Sequence, residues 1–338
     1  MSFARIPAPP SAPFAALLLA AALLTGGGDA HAQASSQPPA AAAEEPPKPV
    51  PAVMARLAVR SLLLDAARAG DRLVAVGERG HILLSDDSGQ SWRQVPSPSN
   101  SALTAVTFVT PQLGWAVGHD AVILHTADGG GTWTIQHWAP ELEMPLMDVF
   151  FDSAQHGIAV GAYGLYLETN DGGKTWDERS IQEEENHLNA VVAPTADARL
   201  IAGEFGGIHF SPDRGATWTM LDSPYEGSFF HALALGPQEW LVLGLQGHVF
   251  RTEDGGQTWT QVETGTTAGL MGGTKLSDGR VILVGAAGNI LTSSDGGRSF
   301  VRQQRDDRVA LADVVEAPDG GIVLLTEQGI LIQPAKPQ

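Results

Sequence analysis

The sequence predicts an all-β fold, a seven-bladed β-propeller of four-stranded blades, and three observations support this. An eight-residue pattern, Ser/Thr-x-Asp-x-Gly-x-x-aromatic, occurs six times, and we call each copy an Asp box. A second pattern, in which an apolar run ends in Gly-x-x-Gly before another apolar run, precedes each box and returns once near the C-terminus. The box aspartates are 41 to 43 residues apart, the repeat length of four-stranded propeller blades. They are Asp87, Asp128, Asp171, Asp213, Asp254 and Asp295.

The first 32 residues have the features of a secretory signal peptide. Arg5 precedes an apolar run from Phe14 to Leu24 that is too short to span a bilayer, and Ala30-His31-Ala32 offers a cleavage site. Residues 33–51 are rich in Ala and Pro and predict a flexible linker, so we place the propeller at residues 52–338. The chain has no cysteine and hence no lipobox, which predicts a periplasmic or secreted protein with no membrane insertion after cleavage.

The formal net charge of −18 bears on the possible partners. Such an excess of acidic residues argues against binding to nucleic acid and to anionic lipid surfaces. It permits cationic partners, although an acidic surface also serves solubility alone.

Each Asp box reads as a tight β-hairpin. The Asp accepts hydrogen bonds from backbone N–H groups of its own turn, and the following Gly tolerates the positive φ that the turn needs. The last residue packs its ring into the blade, so we expect the six aromatic residues at equivalent blade positions. They are Trp92, Trp133, Trp176, Trp218, Trp259 and Phe300. A carbohydrate or metal site built from the box aspartates is the alternative to a structural role.

The Gly-x-x-Gly pattern reads as the hairpin between the second and third strands of a blade, and we call it the Gly turn. Its seventh copy lies near Gly329, but the chain reaches Pro334 where a seventh box should follow. We therefore expect a strand near Val53–Leu57 to complete the last blade, because an open ring would leave unpaired strand edges. A six-bladed ring with the last repeat as a flap is the alternative.

Propeller topology brings the Gly turns together on one face, with the Asp boxes on the other. We call the edge formed by the Gly turns the rim. The rim residues predicted from the seven turns are Glu78, Arg79, His119, Asp120, Tyr163, Glu204, Phe205, Gln246, Glu327 and Gln328.

Counting back 13 or 14 residues from each Gly turn reaches the start of the innermost strands. Mostly polar residues stand there, where a buried strand would be apolar, and they converge on the central channel. They are Leu64, Thr104, Asp148, Asn189, His231, Gly272 and Asp313. One interpretation is a hydrated channel. The other is an aromatic and acidic rim that docks a peptide of a membrane partner, with Tyr163 and Phe205 as anchors.

The runs VGERGHILLSDDSGQSW, VGAYGLYLETNDGGKTW and LGLQGHVFRTEDGGQTW resemble the photosystem II assembly and stability factor family, also labelled Asp-box or BNR-repeat proteins. The resemblance covers about residues 52–333. It implies a non-catalytic exported propeller, without a cofactor, that holds a membrane-protein complex during assembly. The basic surface patch of the photosynthetic members cannot be placed in this sequence, because its 20 Lys and Arg residues are scattered over the chain.

Two other functions stay open at this point. An accessory subunit of an envelope export system is plausible from relatives outside photosynthesis. A glycan-binding propeller or a sialidase-like glycoside hydrolase would need a Tyr nucleophile, and only Tyr163, Tyr166 and Tyr225 are available. His119-Asp120 and His187 with Glu183-Glu184-Glu185 match no recognised metal-ligand spacing, so we expect no metal. The expected partner is a protein, bound by a monomeric propeller that is not an enzyme.

Overall fold

The computed structural model describes residues 48–333 and confirms the seven-bladed propeller. Seven antiparallel sheets follow one another along the chain, and the described residues contain short 3-10 helices but no α-helix. None of the helices within residues 48–333 is long and apolar enough to cross a membrane. The predicted signal peptide, most of the predicted linker and residues 334–338 lie outside the described residues, so the domain boundaries stay predictions.

Six blades have four strands each, in consecutive order from the channel to the perimeter, and the seventh has three. Blades 1 to 3 are β1 (Leu63–Ala69), β2 (Arg72–Gly77), β3 (Ile82–Ser85), β4 (Arg93–Val95); β5 (Leu103–Phe108), β6 (Gly114–Gly118), β7 (Ile123–Thr126), β8 (Thr134–His137); and β9 (Leu146–Phe151), β10 (Gly157–Gly161), β11 (Tyr166–Thr169), β12 (Asp177–Glu178). Blades 4 and 5 are β13 (Leu188–Val192), β14 (Arg199–Gly203), β15 (Ile208–Ser211), β16 (Thr219–Met220); and β17 (Phe229–Ala234), β18 (Trp240–Gly244), β19 (Val249–Thr252), β20 (Thr260–Val262). Blades 6 and 7 are β21 (Leu270–Lys275), β22 (Val281–Gly285), β23 (Asn289–Ser293), β24 (Val301–Gln304); and β25 (Leu311–Glu316), β26 (Ile322–Thr326), β27 (Gly329–Gln333).

The 3-10 helices are single turns between strands. Six of them are the Gly turns of blades 1 to 6, and the other two lie at the N-terminus and after β8. They span Ala58–Arg60, Glu78–Gly80, His119–Ala121, Pro140–Leu142, Ala162–Gly164, Glu204–Gly206, Leu245–Gly247 and Ala286–Gly288.

The predicted closing strand near Val53–Leu57 is wrong, because these residues form no strand and blade 7 has three strands within residues 48–333. Their backbone groups are already bound by blade 1: the Ala55 N–H donates to Gln94 Oε1 at 2.7 Å, and Gln94 Nε2 donates to the Val53 carbonyl at 3.0 Å. The Ala52 N–H donates to the Ser97 carbonyl. The segment therefore lies along blade 1 and does not pair with β27.

The ring closes between blades 7 and 1 by side-chain packing. Leu63 and Leu73 of blade 1 and Val323 and Leu325 of blade 7 are buried in one apolar cluster. Ala58 of the N-terminal 3-10 turn is buried in the same cluster. The N-terminal segment thus contributes to the seam, as predicted, but through packing instead of strand pairing.

Each Asp box is a closed hydrogen-bonded loop. Its first hydroxyl residue donates to the box Asp at 2.6–2.9 Å and accepts the N–H of the box Gly at 2.8–2.9 Å. In blade 5, hydrogen bonds from Thr258 lower the pKa of Asp254 to about 2, so the carboxylate stays charged and keeps accepting.

The sequence pattern missed a second hydroxyl residue directly before the aromatic residue. Its side chain donates to Oδ2 of the box Asp at 2.5–2.8 Å, and its N–H donates to Oδ1 at 2.8–3.0 Å. These residues are Ser91, Thr132, Thr175, Thr217, Thr258 and Ser299. The box aspartates are thus occupied by their own loops, which favours the structural role over a carbohydrate or metal site.

The box Gly has a second role that the sequence did not indicate. Gly89 has φ +88°, as predicted, and a Cβ there would lie 2.8 Å from Val323 Cγ2 of the neighbouring blade. Gly297 shows the same arrangement, with a Cβ position 2.9 Å from Leu241 Cδ1 of blade 5. The missing side chain lets each box pack directly on the blade before it.

Candidate functional site

The Gly turns hold non-glycine residues in a conformation that L-residues rarely adopt. In six blades the second variable residue of the turn has φ between +49° and +60°. The turn is fixed by its neighbours, since in blade 1 the Glu78 N–H donates to the Leu62 carbonyl at 3.0 Å and the other blades repeat this bond. Such strained positions occur often at functional sites. The six residues are Arg79, Asp120, Tyr163, Phe205, Gln246 and Ala287.

Two of these residues expose large aromatic side chains on adjacent blades. Phe205 is 68% exposed and Tyr163 is 52% exposed. The Tyr163 ring contacts the His187 ring edge to face at 4.8 Å, and His187 Nδ1 lies 3.0 Å from Glu204 Oε2. The structure therefore joins Tyr163, His187 and Glu204 across blades 3 and 4, with Phe205 next to Glu204 in the same turn.

An acidic loop borders this aromatic pair. Glu183, Glu184 and Glu185 are exposed, and the loop packs against Gly164, which follows Tyr163 in its turn. Gln182 Nε2 donates to the Asn186 carbonyl and closes the loop. The Glu run is solvated, as expected, and it places negative charge beside Tyr163.

Most of the other predicted rim residues expose their side chains, and two of them form hydrogen bonds within the propeller. Arg79, His119, Gln246, Glu327 and Gln328 are exposed. Glu78 accepts the Leu62 N–H, and Asp120 accepts a hydrogen bond from Ser101 at 2.6 Å. Sequence reasoning missed two exposed apolar side chains on this face, Leu245 (41%) and Met271 (43%), although Leu245 stands inside a Gly turn that it had identified.

The predicted channel residues converge as expected. A cavity of about 120 Å³ lies between the innermost strands, and of the seven predicted residues only Gly272 is absent from its wall. A Cβ at Gly272 would lie 2.5 Å from Asp313 Oδ1, so Asp313 occupies the space that this glycine leaves. The predicted register is wrong by one residue in three blades, since Leu64, Thr104 and Asn189 lie on β-bulges.

The bulges explain that error and reveal a residue that the sequence reasoning missed. Every innermost strand has one irregularity near its start, so a count of 13 or 14 residues from the Gly turn reaches either of two neighbouring positions. The position after the bulge holds Asp148 and Asp313 in blades 3 and 7, and in blade 1 it holds Asp65. Asp65 lines the channel and could have been found by aligning the apolar residue that precedes each bulge.

The polar channel side chains link blades 1 to 6 in succession. Asp65 Oδ2 accepts the Val106 N–H at 2.6 Å, and Asp148 Oδ2 accepts the Val191 N–H at 2.8 Å. Thr104 donates to the Leu146 carbonyl at 2.7 Å, and Asn189 Nδ2 donates to the Phe229 carbonyl at 2.7 Å. Burial lowers the pKa of His231 to about 4, so its neutral ring donates from Nε2 to the Gly273 carbonyl at 3.2 Å.

Asp313 completes this series across the ring closure. Burial and the charge of Asp65 raise the pKa of Asp313 well above its ordinary value, and the two carboxyl groups share a hydrogen bond. We therefore assign the shared proton to Asp313, which donates it to Asp65. The channel residues link neighbouring blades through hydrogen bonds.

Asp148 gives the channel a testable pH dependence. Burial raises the pKa of Asp148 to about 7 from an ordinary 3.8. Because this pKa is raised in the folded state, the associated stability is present below the ordinary value and is lost as pH rises towards 7. We expect the wild type to lose stability relative to Asp148→Asn between about pH 4 and pH 8. Urea unfolding of both proteins across this range measures the difference, and a constant or growing wild-type advantage would contradict the assignment.

A second buried charge cluster lies on the face of the Asp boxes, between blades 3 and 4, and no sequence pattern indicated it. Asp152 contacts three basic side chains: the buried Arg199, the half-exposed Arg214 at 2.7 Å and the imidazole of His156 at 2.7 Å. His156 also contacts Glu168, whose hydrogen bond raises the pKa of the histidine. Every member has a charged partner, so the cluster reads as a structural link between two blades.

The position of Tyr166 argues against its use as the nucleophile of a sialidase-like enzyme. Tyr166 is fully buried, and burial raises the pKa of its hydroxyl. It packs on Trp218 and cannot reach a substrate. In the part of the chain that the structure describes, no group of three His, Cys, Asp or Glu side chains could hold a metal ion.

Comparison with known proteins agrees with this architecture. The family model described as "Photosynthesis system II assembly factor YCF48" matches residues 84–143 and 136–334. A curated relative, "Photosystem II stability/assembly factor HCF136, chloroplastic" from Cyanidioschyzon merolae, is 34% identical over 84 residues. That match covers 24% of this chain and only 18% of the relative.

Similar solved structures support the fold. One described as "YCF48 bound to D1 peptide" has a TM-score of 0.67 at 20% identity, covering 87% of this chain and 100% of its own. "YCF48 from Cyanidioschyzon merolae" has a TM-score of 0.64 at 16% identity, covering 81% and 95%. The WD40 β-propeller domain of Doa1 has a TM-score of 0.65 at 12% identity, covering 80% and 92%.

Proposed function

Because this chain belongs to the family of the photosystem II assembly factor YCF48, we propose that it is a non-catalytic propeller that binds an exposed peptide of a membrane protein during assembly. The proposal includes export by the signal peptide to the periplasm or beyond, and action as a monomer. One observation carries it: two exposed aromatic side chains, Tyr163 and Phe205, are held by rigid turns on neighbouring blades of one face.

The chemistry of the rim specifies the kind of peptide. Exposed aromatic rings on a rigid backbone lose little side-chain entropy on binding, which is why they act as anchors. Glu204 pairs with His187, whose ring contacts Tyr163, and the acidic Glu183–Glu185 loop packs against the adjacent Gly164. A peptide with an apolar residue next to a Lys or Arg fits both features, because the cation can approach the Tyr163 ring and the carboxylates together.

The similar structure bound to a D1 peptide supports a peptide as the ligand class. The client of this chain need not be a photosystem protein, since the rim has its own aromatic and acidic character. Neither an export-system role nor a glycan ligand has a specific feature of this rim in its favour.

The test compares paired substitutions on opposite faces of the ring. We expect Tyr163→Ala with Phe205→Ala to abolish capture of the membrane client at an unchanged melting temperature, because both side chains are exposed. Affinity capture from solubilised membranes of the source cell, with calorimetry of each variant, measures both properties.

The matched control pair is Asp128→Ala with Asp254→Ala on the far face. Each Asp accepts hydrogen bonds from Thr residues of its own box, so this pair should lower the melting temperature. It should still capture the client below that temperature. Normal capture by the rim pair would refute the proposed site.

A further inference from the structure

The perimeter of blade 7 has a gap of one strand. In blades 1 to 6 a fourth strand covers the third, whereas β27 has no such neighbour within residues 48–333. Neighbouring strands lie about 4.8 Å apart, so β27 is set back by about that distance from the outer edges of β24 and β4. We propose that this recess binds an extended peptide of a partner protein as the fourth strand of blade 7.

The backbone of β27 presents donors and acceptors to the recess. In blades 3 and 4 the residues equivalent to Ile330, which are Tyr166 and Ile208, accept N–H groups from Arg179 and Leu221 at 3.0 and 2.8 Å. Because outward and inward residues alternate in an antiparallel ladder, Ile330 and Ile332 both direct their N–H and C=O groups outward. An unpaired edge of this kind is a template for a further strand.

The side of the recess that faces blade 6 is a groove of mixed character, which Arg280, Thr292 and Ser294 line together with apolar residues. Its volume is about 340 Å³, and Ile282, Ile290 and Ile322 are buried along its floor. Val301, the first residue of β24, lines it and is 77% exposed. Gln303 and Gln333 give it a polar border.

The side that faces blade 1 is apolar. Ala55, Val59 and Ile330 pack against the same buried apolar cluster, and the N-terminal segment also exposes Val53, Met54 and Leu57. A strand in the recess would therefore meet apolar side chains on the side of blade 1 and a mixed polar and apolar surface on the side of blade 6. This predicts a peptide in which apolar and polar residues alternate.

The depth of the recess favours a single peptide over a second copy of this chain. Two copies that approached through β27 would touch first at their neighbouring blades. Their two β27 strands would then remain separated by about three strand spacings, too far for hydrogen bonds. One extended segment fills a gap of one strand without this conflict.

The probe for the experiment is a fluorescein-labelled peptide that copies residues 293–304, the box and fourth strand of blade 6. In blade 6 the residues Val301 and Gln303 pair with Thr292 and Ile290, the outward positions of β23. We expect saturable binding of this probe to the full chain in fluorescence anisotropy. N-methylation at the Val301 and Gln303 positions should weaken it about tenfold or more, whereas N-methylation at the Arg302 position should not.

The matching protein variants are Ile332→Pro and Ile332→Val. Proline removes the outward N–H and is tolerated on a strand edge, so Ile332→Pro should weaken probe binding about tenfold while the fold is kept. Ile332→Val keeps the N–H and should bind as the wild type does. Circular dichroism melting of both variants checks that the ring is intact.

Each other outcome would overturn the proposal. Absent binding, or equal binding by all three peptides, means that no strand is added. Binding that emerges only after removal of residues 1–47 or 334–338 means that the chain covers its own edge. Dimerisation that Ile332→Pro abolishes would assign the edge to a second copy. None of these results bears on Tyr163 and Phe205, so the proposal for the rim is tested independently of this one.

Discussion

Replacing Asp152 by alanine is expected to lower the free energy of unfolding by about 3–5 kcal/mol, the cost of leaving a buried charge without its partner. The charge is that of Arg199, whose side chain is fully buried and contacts Asp152 directly. Arg199 keeps hydrogen bonds to the carbonyls of Thr195, Ala196 and Ala198, but these carry no full negative charge.

The protonation of Asp152 supports this expectation. Although burial opposes ionisation, hydrogen bonds from Arg214 and His156 hold the pKa of Asp152 below its ordinary value. The carboxylate is therefore charged at neutral pH and pairs with Arg199 throughout the usual working range.

Two control variants distinguish the stability contribution of the buried Asp152–Arg199 pair from that of the half-exposed Asp152–Arg214 pair. Arg214→Ala removes a half-exposed partner of the same carboxylate and should cost about 1 kcal/mol or less. Asp152→Ala combined with Arg199→Met removes both buried charges and should recover part of the loss. Urea unfolding of the four proteins gives the comparison, and an Asp152→Ala cost as small as that of Arg214→Ala would refute the role of the pair.

Replacing Trp115 by alanine should cost a similar amount, about 3–5 kcal/mol, because the substitution leaves a large cavity between blades 2 and 3. Trp115 is fully buried and stacks on Phe151 with ring centroids 3.5 Å apart and planes at 5°. Its Nε1 donates to Gln136 Oε1 at 3.0 Å, so the variant also leaves a polar group without its partner.

The surroundings of Phe151 limit how far this cavity can close. The ring meets Trp176 edge to face at 5.8 Å, and a Cβ at Gly157 would lie 2.4 Å from it. Trp176→Ala is the matched control, since this half-buried box residue belongs to the same cluster and should cost less. Thermal and urea unfolding provide the measurement. Equal losses of unfolding free energy in the two variants would show that the burial of the tryptophan does not determine the loss of stability.

Local and repeated features of this protein were predictable from the sequence. The spacing of the box aspartates and the seven Gly turns predicted seven blades, and the structure confirms both hairpins in the blades where they were expected. The convergence of Asp148, His231 and Asp313 on the channel followed from the same periodicity. These predictions were possible because every repeat of the sequence adopts the same blade geometry.

Features that break the repetition or act over long distances were not predictable in this way. A β-bulge shifts the strand register by one residue, and no particular residue type marks its position in the sequence. For this reason Asp65 was not predicted as a channel residue. The prediction of a closing strand was wrong because the side chain of Gln94 hydrogen-bonds to the backbone of Val53 and Ala55, which lie 41 and 39 residues away in the sequence. Arg199 and Asp152 are 47 residues apart and belong to different blades, so no local pattern connects them.

The six Gly turns with a residue at positive φ also determine how this protein can diverge. The strain belongs to a backbone conformation that neighbouring glycines and main-chain hydrogen bonds hold in place, whichever side chain is present. Four of these six side chains, those of Arg79, Tyr163, Phe205 and Gln246, are exposed, so exchanging them changes the surface without disturbing the interior. Substitutions at these four positions therefore change the chemistry of the rim while the ring stays folded.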